Sequence, residues 1–301
     1  MKIGIDLGGS HVGVGLIEGD KLIIVENKYF TPEDLLDTKN AIVKNIDELI
    51  YKIITENYIG MDKIEAIGAA SPGTIASGKI RSWNLKLDWF DLQSILANKY
   101  NKKVRVRNDG KCAALAEKKY GILKDYDDAV FINIGTGIGG AAFVNGNFLE
   151  PKRFSGFEFG HMTIKKDGIE CSCGKKGCFE RYGSIRSMKY RIRDRLNIDI
   201  SDLSGKYMRE TLMKEHWEEL KEDIEDWVCC LATGIGNLID IFEPEIVCFG
   251  GSFSYYESHP VYKMLMEELK KPNRTFNKEL PIFMAAAFKN DAGIIGATID
   301  I

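Results

Sequence analysis

Apolar and polar residues alternate near the N-terminus in short runs separated by glycine or charged residues. This pattern predicts three strands in a meander, over Lys2–Leu7, 11–17 and 21–27. Residues 32–57 instead carry apolar side chains at helical spacing, and Pro32 suits a first helical position. The sequence therefore predicts one long helix there, with an apolar stripe of Leu35, Ile42, Ile46, Leu49, Ile50 and Ile53.

Two more strands and a helix complete a first block. Apolar residues over 64–69 and 104–107 predict the strands. Asp109 follows the second of them and is expected to cap a helix that ends at Gly121.

A second block repeats the order of the first. Ala129–Ile134 predicts a strand, a glycine-rich turn follows over 135–140, and 141–144 predicts the returning strand. The remaining predicted elements are a helix over 212–242, strands over 245–249 and 282–285, and a last helix from about Ala292.

This order predicts an α/β protein with two domains, which 301 residues can accommodate at about 150 residues each. We expect a smaller N-terminal α/β domain over 1–120 and a larger one over 121–289, with the helix at 290–301 packing back on the first.

Composition narrows the class of protein. Apolar residues make up 45% and the net charge is −3, which is typical of a globular chain and argues against a nucleic acid partner. The uncharged run over 129–149 is broken by five glycines, so we expect no membrane helix. Seven cysteines without a signal peptide indicate a cytoplasmic protein whose thiols are reduced or bind a metal.

Two glycine-rich turns each follow a predicted strand: Gly8-Gly9-Ser10 and 135–140. Neither precedes a helix, so neither fits the dinucleotide fingerprint or the P-loop. Such turns can be plain hairpins, or they can direct backbone N–H groups at phosphate oxygens. Because Asp6 precedes the first turn with a carboxylate suited to Mg²⁺, the pair favours phosphate binding between two domains.

Cys171, Cys173 and Cys178 bring three thiols into eight positions, and His161 lies ten residues upstream. Three thiolates and one imidazole make a tetrahedral zinc set, which is structural when all four ligands are protein groups. Three reduced thiols in a loop are the alternative. No second cysteine pair remains, which argues against a nucleic-acid zinc ribbon.

The remaining candidates are carboxylates and aromatic residues. Asp109 suits a general base or a simple helix cap. Glu158 and Glu180 flank the cysteine loop, where a metal would hold them rigidly for a polyhydroxy ligand. Trp83-Asn84-Leu85 with Trp89 is either a core anchor or a lip beside a substrate site. His216 and His259 are expected at the surface.

Together these segments resemble the ROK family of bacterial sugar kinases and regulators, within the actin-like ATPase superfamily. The likeness covers nearly the whole chain. Its most specific motifs are Glu158-Phe159-Gly160-His161 and Cys171-Ser172-Cys173-Gly174-Lys175-Lys176-Gly177-Cys178-Phe179-Glu180. The two glycine turns and Val247-Cys248-Phe249-Gly250-Gly251 are shared more widely in the superfamily. Phe157 departs from the pattern, because a glycine is usual before Glu158.

The resemblance implies a two-domain actin-like (ribonuclease H-like) fold with a cleft and a zinc loop over 161–178. It implies that Asp109 is the catalytic base and that Asp6 supports Mg²⁺ bound to ATP. The residues that would hold sugar hydroxyls are Asn84, Asn108, Glu158, His161 and Glu180. Those that would bind ATP are Gly8, Gly9, Ser10, His11, Gly135, Thr136, Gly137, Gly250 and Gly251. Those that would bind zinc are His161, Cys171, Cys173 and Cys178.

We therefore expect a cytoplasmic, homodimeric, ATP-dependent hexose kinase that acts on glucose at O6 and uses Mg²⁺ and structural Zn²⁺. Fructose, mannose, N-acetylmannosamine and β-glucosides stay open as substrates, because Phe157 is expected to reshape the sugar pocket. The rival from another class is a sugar sensor without catalysis. Residues 1–30 are expected to leave no room for a DNA-binding helix-turn-helix before the first strand.

Overall fold

A computed structural model describes residues 1–19, 21–151, 156–200 and 203–301. It is an α/β protein that divides into two compact units. Unit 1 comprises Met1–Lys124, Glu150–Gly156 and Asn290–Ile301, and unit 2 comprises Asp125–Leu149 and Phe157–Lys289. The segment near Glu150 joins unit 1 without any signal in the sequence pattern.

Unit 1 contains a five-stranded mixed sheet in the order β3-β2-β1-β4-β8. Its first three strands form the predicted antiparallel meander, and β1, β4 and β8 run parallel. A three-stranded antiparallel sheet, β5-β6-β7, was not predicted. The strands are β1 Lys2–Leu7, β2 His11–Glu18, β3 Lys21–Tyr29, β4 Ala66–Ser71, β5 Thr74–Ala76, β6 Lys79–Ser82, β7 Leu87–Phe90 and β8 Lys103–Asn108.

Three helices accompany these strands: α1 Thr38–Glu56, α2 Leu92–Tyr100 and α3 Asp109–Tyr120. The predicted start of α1 at Pro32 is wrong. Thr31 and Asp34 close a turn on each other, and Asp37 then caps the helix by accepting the N–H of Asn40. Leu35 is consequently exposed, whereas the other five members of the predicted stripe are buried.

Unit 2 repeats the strand plan of unit 1, as the sequence predicted. Its sheet has the order β11-β10-β9-β12-β13, with β9, β10 and β11 antiparallel and β9, β12 and β13 parallel. The predicted turn over 135–140 is shorter than expected, because Ile138 already pairs with Ile134. The strands are β9 Ala129–Ile134, β10 Ile138–Val144, β11 Asn147–Phe148, β12 Ile246–Gly250 and β13 Ile282–Ala285.

The long helix of unit 2 begins at Trp217, five residues later than predicted, because His216 leaves helical geometry. Its apolar face is buried in the unit 2 core, with Trp227 fully enclosed. The helices of this unit are α4 Glu180–Gly183, α5 Ile185–Leu196, α6 Gly205–Tyr207, α7 Met213–Glu215, α8 Trp217–Phe242 and α9 Pro260–Leu269, with a π-helical turn over Met208–Leu212.

His259 was predicted at the surface, and this prediction is wrong. Its side chain is buried, and its Nδ1 accepts the N–H of Val261 at the start of α9. Its ring packs against those of Trp217 and Tyr256, at 6.2 Å and 5.1 Å between ring centres, and this packing buries it. His216 is half-buried, and its Nδ1 lies 2.8 Å from Glu219 Oε2.

The last helix, α10 Ala292–Ala297, packs on the unit 1 sheet and on α3 through glycines. A Cβ at Gly68 would lie 1.9 Å from the carbonyl oxygen of Ala297, and one at Gly296 would lie 1.7 Å from that of Cys112. Only glycine permits this approach of backbone to backbone. Among the residues described, none of the helices combines the length and apolar character that crossing a bilayer requires.

Candidate functional site

Two aspartates lie at one edge of the unit 1 sheet. Asp6 is near the end of β1, and Asp109 directly follows β8. Because β1, β4 and β8 are parallel, their carboxyl ends meet at the same edge. Burial, with the negative charge of Asp109 as a second cause, raises the pKa of Asp6 to about 7. Burial also raises the pKa of Asp109. A bound cation would stabilise the ionised form of such a pair.

Asp109 does not cap α3, contrary to the prediction that it would. The cap is Asn108, whose Oδ1 accepts the N–H of Lys111 at 3.3 Å and whose Nδ2 donates to the carbonyl of Gly73 at 3.1 Å. Asp109 is the first helical residue, and its Oδ1 accepts the N–H of Gly110 at 2.8 Å. The helix N-terminus thus offers partial positive charge to a carboxylate that burial disfavours.

The first glycine turn connects β1 to β2. The N–H of Gly8 donates to the carbonyl of His11 at 2.9 Å, and the carbonyl of Ser10 accepts the N–H of Phe30 at 2.9 Å. The imidazole of His11 covers Gly8, since a Cβ there would lie 2.6 Å from its Cε1, while Gly9 faces open space. Burial lowers the pKa of His11, which favours the neutral imidazole.

The second glycine turn, Gly135-Thr136-Gly137, connects β9 to β10. The N–H of Gly135 donates to the carbonyl of Gly137, and its carbonyl accepts the N–H of Ile185, each at 2.9 Å. A Cβ at Gly137 would lie 2.8 Å from Glu180 Oε2, whereas Gly135 faces open space. The turn is therefore anchored to α5 and lies against the carboxylate at the start of α4.

Gly250 is the last residue of β12, and Gly251 follows it. Gly251 has a φ of +64°, and a Cβ there would lie 2.6 Å from Asn133 Oδ1. A Cβ at Gly250 would lie 2.3 Å from the ring of Phe131. Close packing against β9 is thus sufficient reason for both glycines.

The predicted metal ligands converge in unit 2. The ligand atoms of His161, Cys171, Cys173 and Cys178 all lie within 4.8 Å of one another. Cys171 Sγ lies 3.6 Å from His161 Nδ1, and Cys173 Sγ lies 3.6 Å from Cys178 Sγ. Sulfurs about 2.3 Å from a tetrahedral Zn²⁺ would lie about 3.8 Å apart, so these four residues fit that ion.

Turns of the backbone hold this cluster. The N–H of Cys171 donates to the carbonyl of Lys175 at 2.8 Å, and that of Gly174 donates to the carbonyl of Cys171 at 2.9 Å. Lys175 Nζ donates to the carbonyl of His161 at 2.7 Å, which ties the two ends of the ligand set together. Burial raises the pKa of Cys178 to about 12, and a bound metal cation would overcome this preference for the neutral thiol.

Glu180 joins the cysteine cluster to the second glycine turn. Its Oε1 lies 3.4 Å from Cys171 Sγ and 3.9 Å from His161 Nδ1, while its Oε2 faces Gly137. Glu158 is exposed, and its carbonyl accepts the N–H of His161 at 2.9 Å. The structure therefore brings the side chain of Glu180 together with the predicted metal ligands and ties Glu158 to them through its backbone.

Two features of unit 1 complete the description. Asn84 is exposed in the turn between β6 and β7. Gly293 in α10 was not selected from the sequence, yet a Cβ there would lie 2.9 Å from Asp6 Oδ1. The one signal available was a glycine at the start of a short apolar helix, which by itself does not indicate a carboxylate neighbour.

The two units each contain a five-stranded mixed sheet with the same strand plan and a glycine turn after its first strand, and this arrangement defines the fold. The fold is similar to that of a solved structure of a ROK family glucokinase from Streptomyces griseus in complex with glucose and AMPPNP. The TM-score is 0.81 at 21% sequence identity, and the match covers 98% of this chain and 97% of that one. The family model described as "ROK family" matches residues 2–299. The chain belongs to the ROK family.

Relatives in this family differ in activity. A glucokinase of Thermotoga maritima is 30% identical, covering 98% of this chain and 95% of its own length. A xylose repressor of Bacillus subtilis is 27% identical, covering 86% of this chain and 66% of its own length. The chain is thus similar to a sugar kinase along nearly its whole length and to two thirds of a repressor.

Proposed function

We propose that this protein is an ATP-dependent sugar kinase that phosphorylates a hexose, with glucose at O6 as the first candidate. The similarity to a glucokinase supports this assignment. The observation that carries it is Asp109, a half-buried carboxylate at the N-terminus of α3 whose pKa is raised by burial, at the same sheet edge as a second half-buried carboxylate, Asp6. A protein that only binds sugar has no use for a base held in this way.

Asp109 is proposed to accept the proton of the attacking sugar hydroxyl. A carboxylate is a weak base at its ordinary pKa, and burial raises the pKa of Asp109 toward the pH at which the enzyme would work. The N–H of Gly110 holds Oδ1, which orients the carboxylate. Asn108, as the cap of α3, fixes the backbone on which Asp109 stands.

Asp6 is proposed to support the Mg²⁺ that accompanies ATP. A divalent cation neutralises developing charge in phosphoryl transfer, and the ionised Asp6 would be stabilised beside it. The residues proposed to bind the nucleotide are Gly8, Gly9, Ser10, His11, Gly135, Thr136, Gly137, Gly250 and Gly251. The open space at Gly9 and Gly135 supports a phosphate contact at each turn.

His161, Cys171, Cys173 and Cys178 are proposed to bind a structural Zn²⁺. When bound, the ion supplies a fixed centre for the loop and takes no part in phosphoryl transfer. Glu158, His161 and Glu180 are proposed to hold sugar hydroxyls, together with Asn84 and Asn108. Glu180 is suited to this role because the cluster and the glycine turn hold it from two sides.

A coupled ADP-release assay with Mg-ATP tests the activity across hexoses, N-acetylhexosamines and β-glucosides. One sugar well above the others supports a kinase and identifies its substrate among glucose, fructose, mannose, N-acetylmannosamine and β-glucosides. Sugar binding by calorimetry without ADP release would instead favour a sensor, the class to which the repressor relative points. Homodimer formation and a cytoplasmic location stay predictions, tested by light scattering and by cell fractionation.

A further inference from the structure

Two tryptophans of unit 1 are presented to solvent on the small sheet β5-β6-β7. Trp83, in the turn after β6, is 74% exposed, and Trp89, in β7, is 37% exposed. The other apolar side chains of β6 and β7, Ile80, Leu87 and Phe90, are buried. The sequence left open whether these tryptophans anchor a core, and the exposure of Trp83 excludes that role for it.

A β-bulge turns Trp89 outward. Ser82 pairs with Leu87 and Ile80 pairs with Phe90, so Asp88 and Trp89 together oppose the single residue Arg81. Strict alternation from Leu87 would bury Trp89, but it has a φ of +47° and is exposed together with Asp88. A positive φ is unfavourable for a bulky aromatic residue, and such strain is concentrated at functional sites.

Arg81 completes an aromatic platform with the two tryptophans. Its Cζ lies 5.9 Å from the ring centre of Trp83 and 5.7 Å from that of Trp89, within reach of a cation–π contact with each. Asp88 Oδ1 lies 3.6 Å from Arg81 Nε. The ring faces are therefore accompanied by a guanidinium and a carboxylate, and Asn84, the residue after Trp83, is also exposed.

We propose that Trp83, Trp89 and Arg81 form a subsite for a second sugar ring, joined to the ring that Asn84 holds. This inference rests on the proposed function. A pyranose presents an apolar C–H face to an aromatic ring and hydroxyl groups at its rim to polar side chains. Two aromatic side chains offer at most about 500 Å². This is less than the roughly 800 Å² that each partner of a stable protein complex buries.

Calorimetric titration of the full-length protein with glucose, cellobiose and maltose tests the subsite. We expect one of the disaccharides to bind more tightly than glucose. Trp83→Ala is expected to lower the affinity for that disaccharide about tenfold and to change the affinity for glucose less than twofold. Tyr51→Ala, at a residue of α1 that is 68% exposed, is the matched control and should change neither.

The outcomes separate the subsite from the kinase activity. If Trp83→Ala loses affinity for the disaccharide and the wild-type protein phosphorylates no sugar, the subsite is retained and the kinase activity is rejected. Phosphorylation of glucose, with disaccharide affinity unchanged in Trp83→Ala, would reject the subsite alone. Equal weakening of glucose and disaccharide would also reject it. A changed molecular mass in light scattering, with sugar affinity unaltered, would make the platform a protein contact and overturn the proposal.

Discussion

The acidic pair of unit 1 and the cysteine–histidine cluster of unit 2 are held in different ways. Asp6 belongs to a strand of the buried core of unit 1, and Asp109 to a helix whose Cys112 packs against buried Ala70 and Ala297. The loop over 161–178 has little regular structure within the described residues. It contains the end of a 3₁₀ turn, Phe159–His161, and two isolated bridges, Thr163↔Cys178 and Glu170↔Lys176.

This difference predicts opposite responses to mutation. The sheet positions the acidic pair without any ligand, so changing a carboxylate should alter chemistry and leave the fold intact. The ligands of the cluster are brought together by turns of the loop over 161–178. Metal binding in such a loop contributes directly to its folding. Changing a thiol should therefore alter local structure first and sugar binding as a consequence.

Asp109→Asn should lower turnover about a hundred- to ten-thousand-fold, because the amide cannot accept the sugar's proton. Sugar affinity by calorimetry and the melting temperature should stay near those of the wild type. Asp62→Asn, at an exposed residue of the same unit, is the control and should retain full turnover. Near-wild-type turnover in Asp109→Asn would remove this residue from the mechanism.

Removal of zinc should lower sugar affinity at least tenfold, because the loop that holds His161 and Glu180 loses its centre. Metal analysis of protein prepared without chelator should find about one zinc per chain. Cys178→Ser should reproduce the loss and increase hydrogen exchange over 158–180. Cys230→Ser, outside the cluster, is the control. Zinc-free protein with unchanged sugar affinity would contradict the role assigned to the metal.

Much of the fold follows from hydrophobic pattern. Lys2–Leu7, Ala129–Ile134 and Ile282–Ala285 were predicted with the bounds that the structure has. The strands β5, β6 and β7 were missed because each is short and none is a continuous apolar run like that of Ile282–Ala285. The bulge at Trp89 also interrupts the alternation that identifies a strand.

The candidate site is predictable to the extent that its residues are close in sequence. The cysteines and His161 lie within eighteen positions, and the structure brings them together. The contact of Gly293 with Asp6 joins residues far apart in the chain, and no local pattern indicates it. The same holds for His259, which polar neighbours placed at the surface and which tertiary packing buries.

His259 offers a test of the regular part of unit 2. Burial lowers its pKa to about 4, with the charges of Arg209 and Lys214 as further causes. The unfolded chain binds a proton near pH 6.5 and the folded one only near pH 4, so stability is lost as the pH falls through this window. The loss should reach roughly 3 kcal/mol as the pH falls to the folded-state pKa of about 4.

His259→Asn retains a side-chain oxygen that can cap α9 and removes the titration. The difference in unfolding free energy between wild type and variant should therefore fall by that amount between pH 7 and pH 4, measured by denaturant titration. The effect should persist after zinc removal, since His259 lies outside the loop. Parallel pH profiles for the two proteins would show that His259 does not stay neutral on folding.

Two glycines of the loop over 161–178 provide the smallest and most local comparison. Gly174 and Gly177 have φ values of +86° and +75°, so alanine is strained at both. A Cβ at Gly174 meets open space, whereas one at Gly177 would lie 1.8 Å from the carbonyl oxygen of Lys165. Gly174→Ala should lower the affinity of the loop for zinc about fivefold, since the backbone strain costs about 1 kcal/mol.

Gly177→Ala should lower the affinity for zinc about tenfold further, because its methyl group would displace the loop backbone at Lys165. Competition against a chromophoric chelator at pH 7 measures both affinities, and the ratio of the two variants cancels the strain they share. Equal affinities would mean that the loop accommodates the displaced carbonyl without moving its ligands. The geometry of the metal ligands would then not depend on the turns of this loop, and the proposed difference from the acidic pair would be wrong.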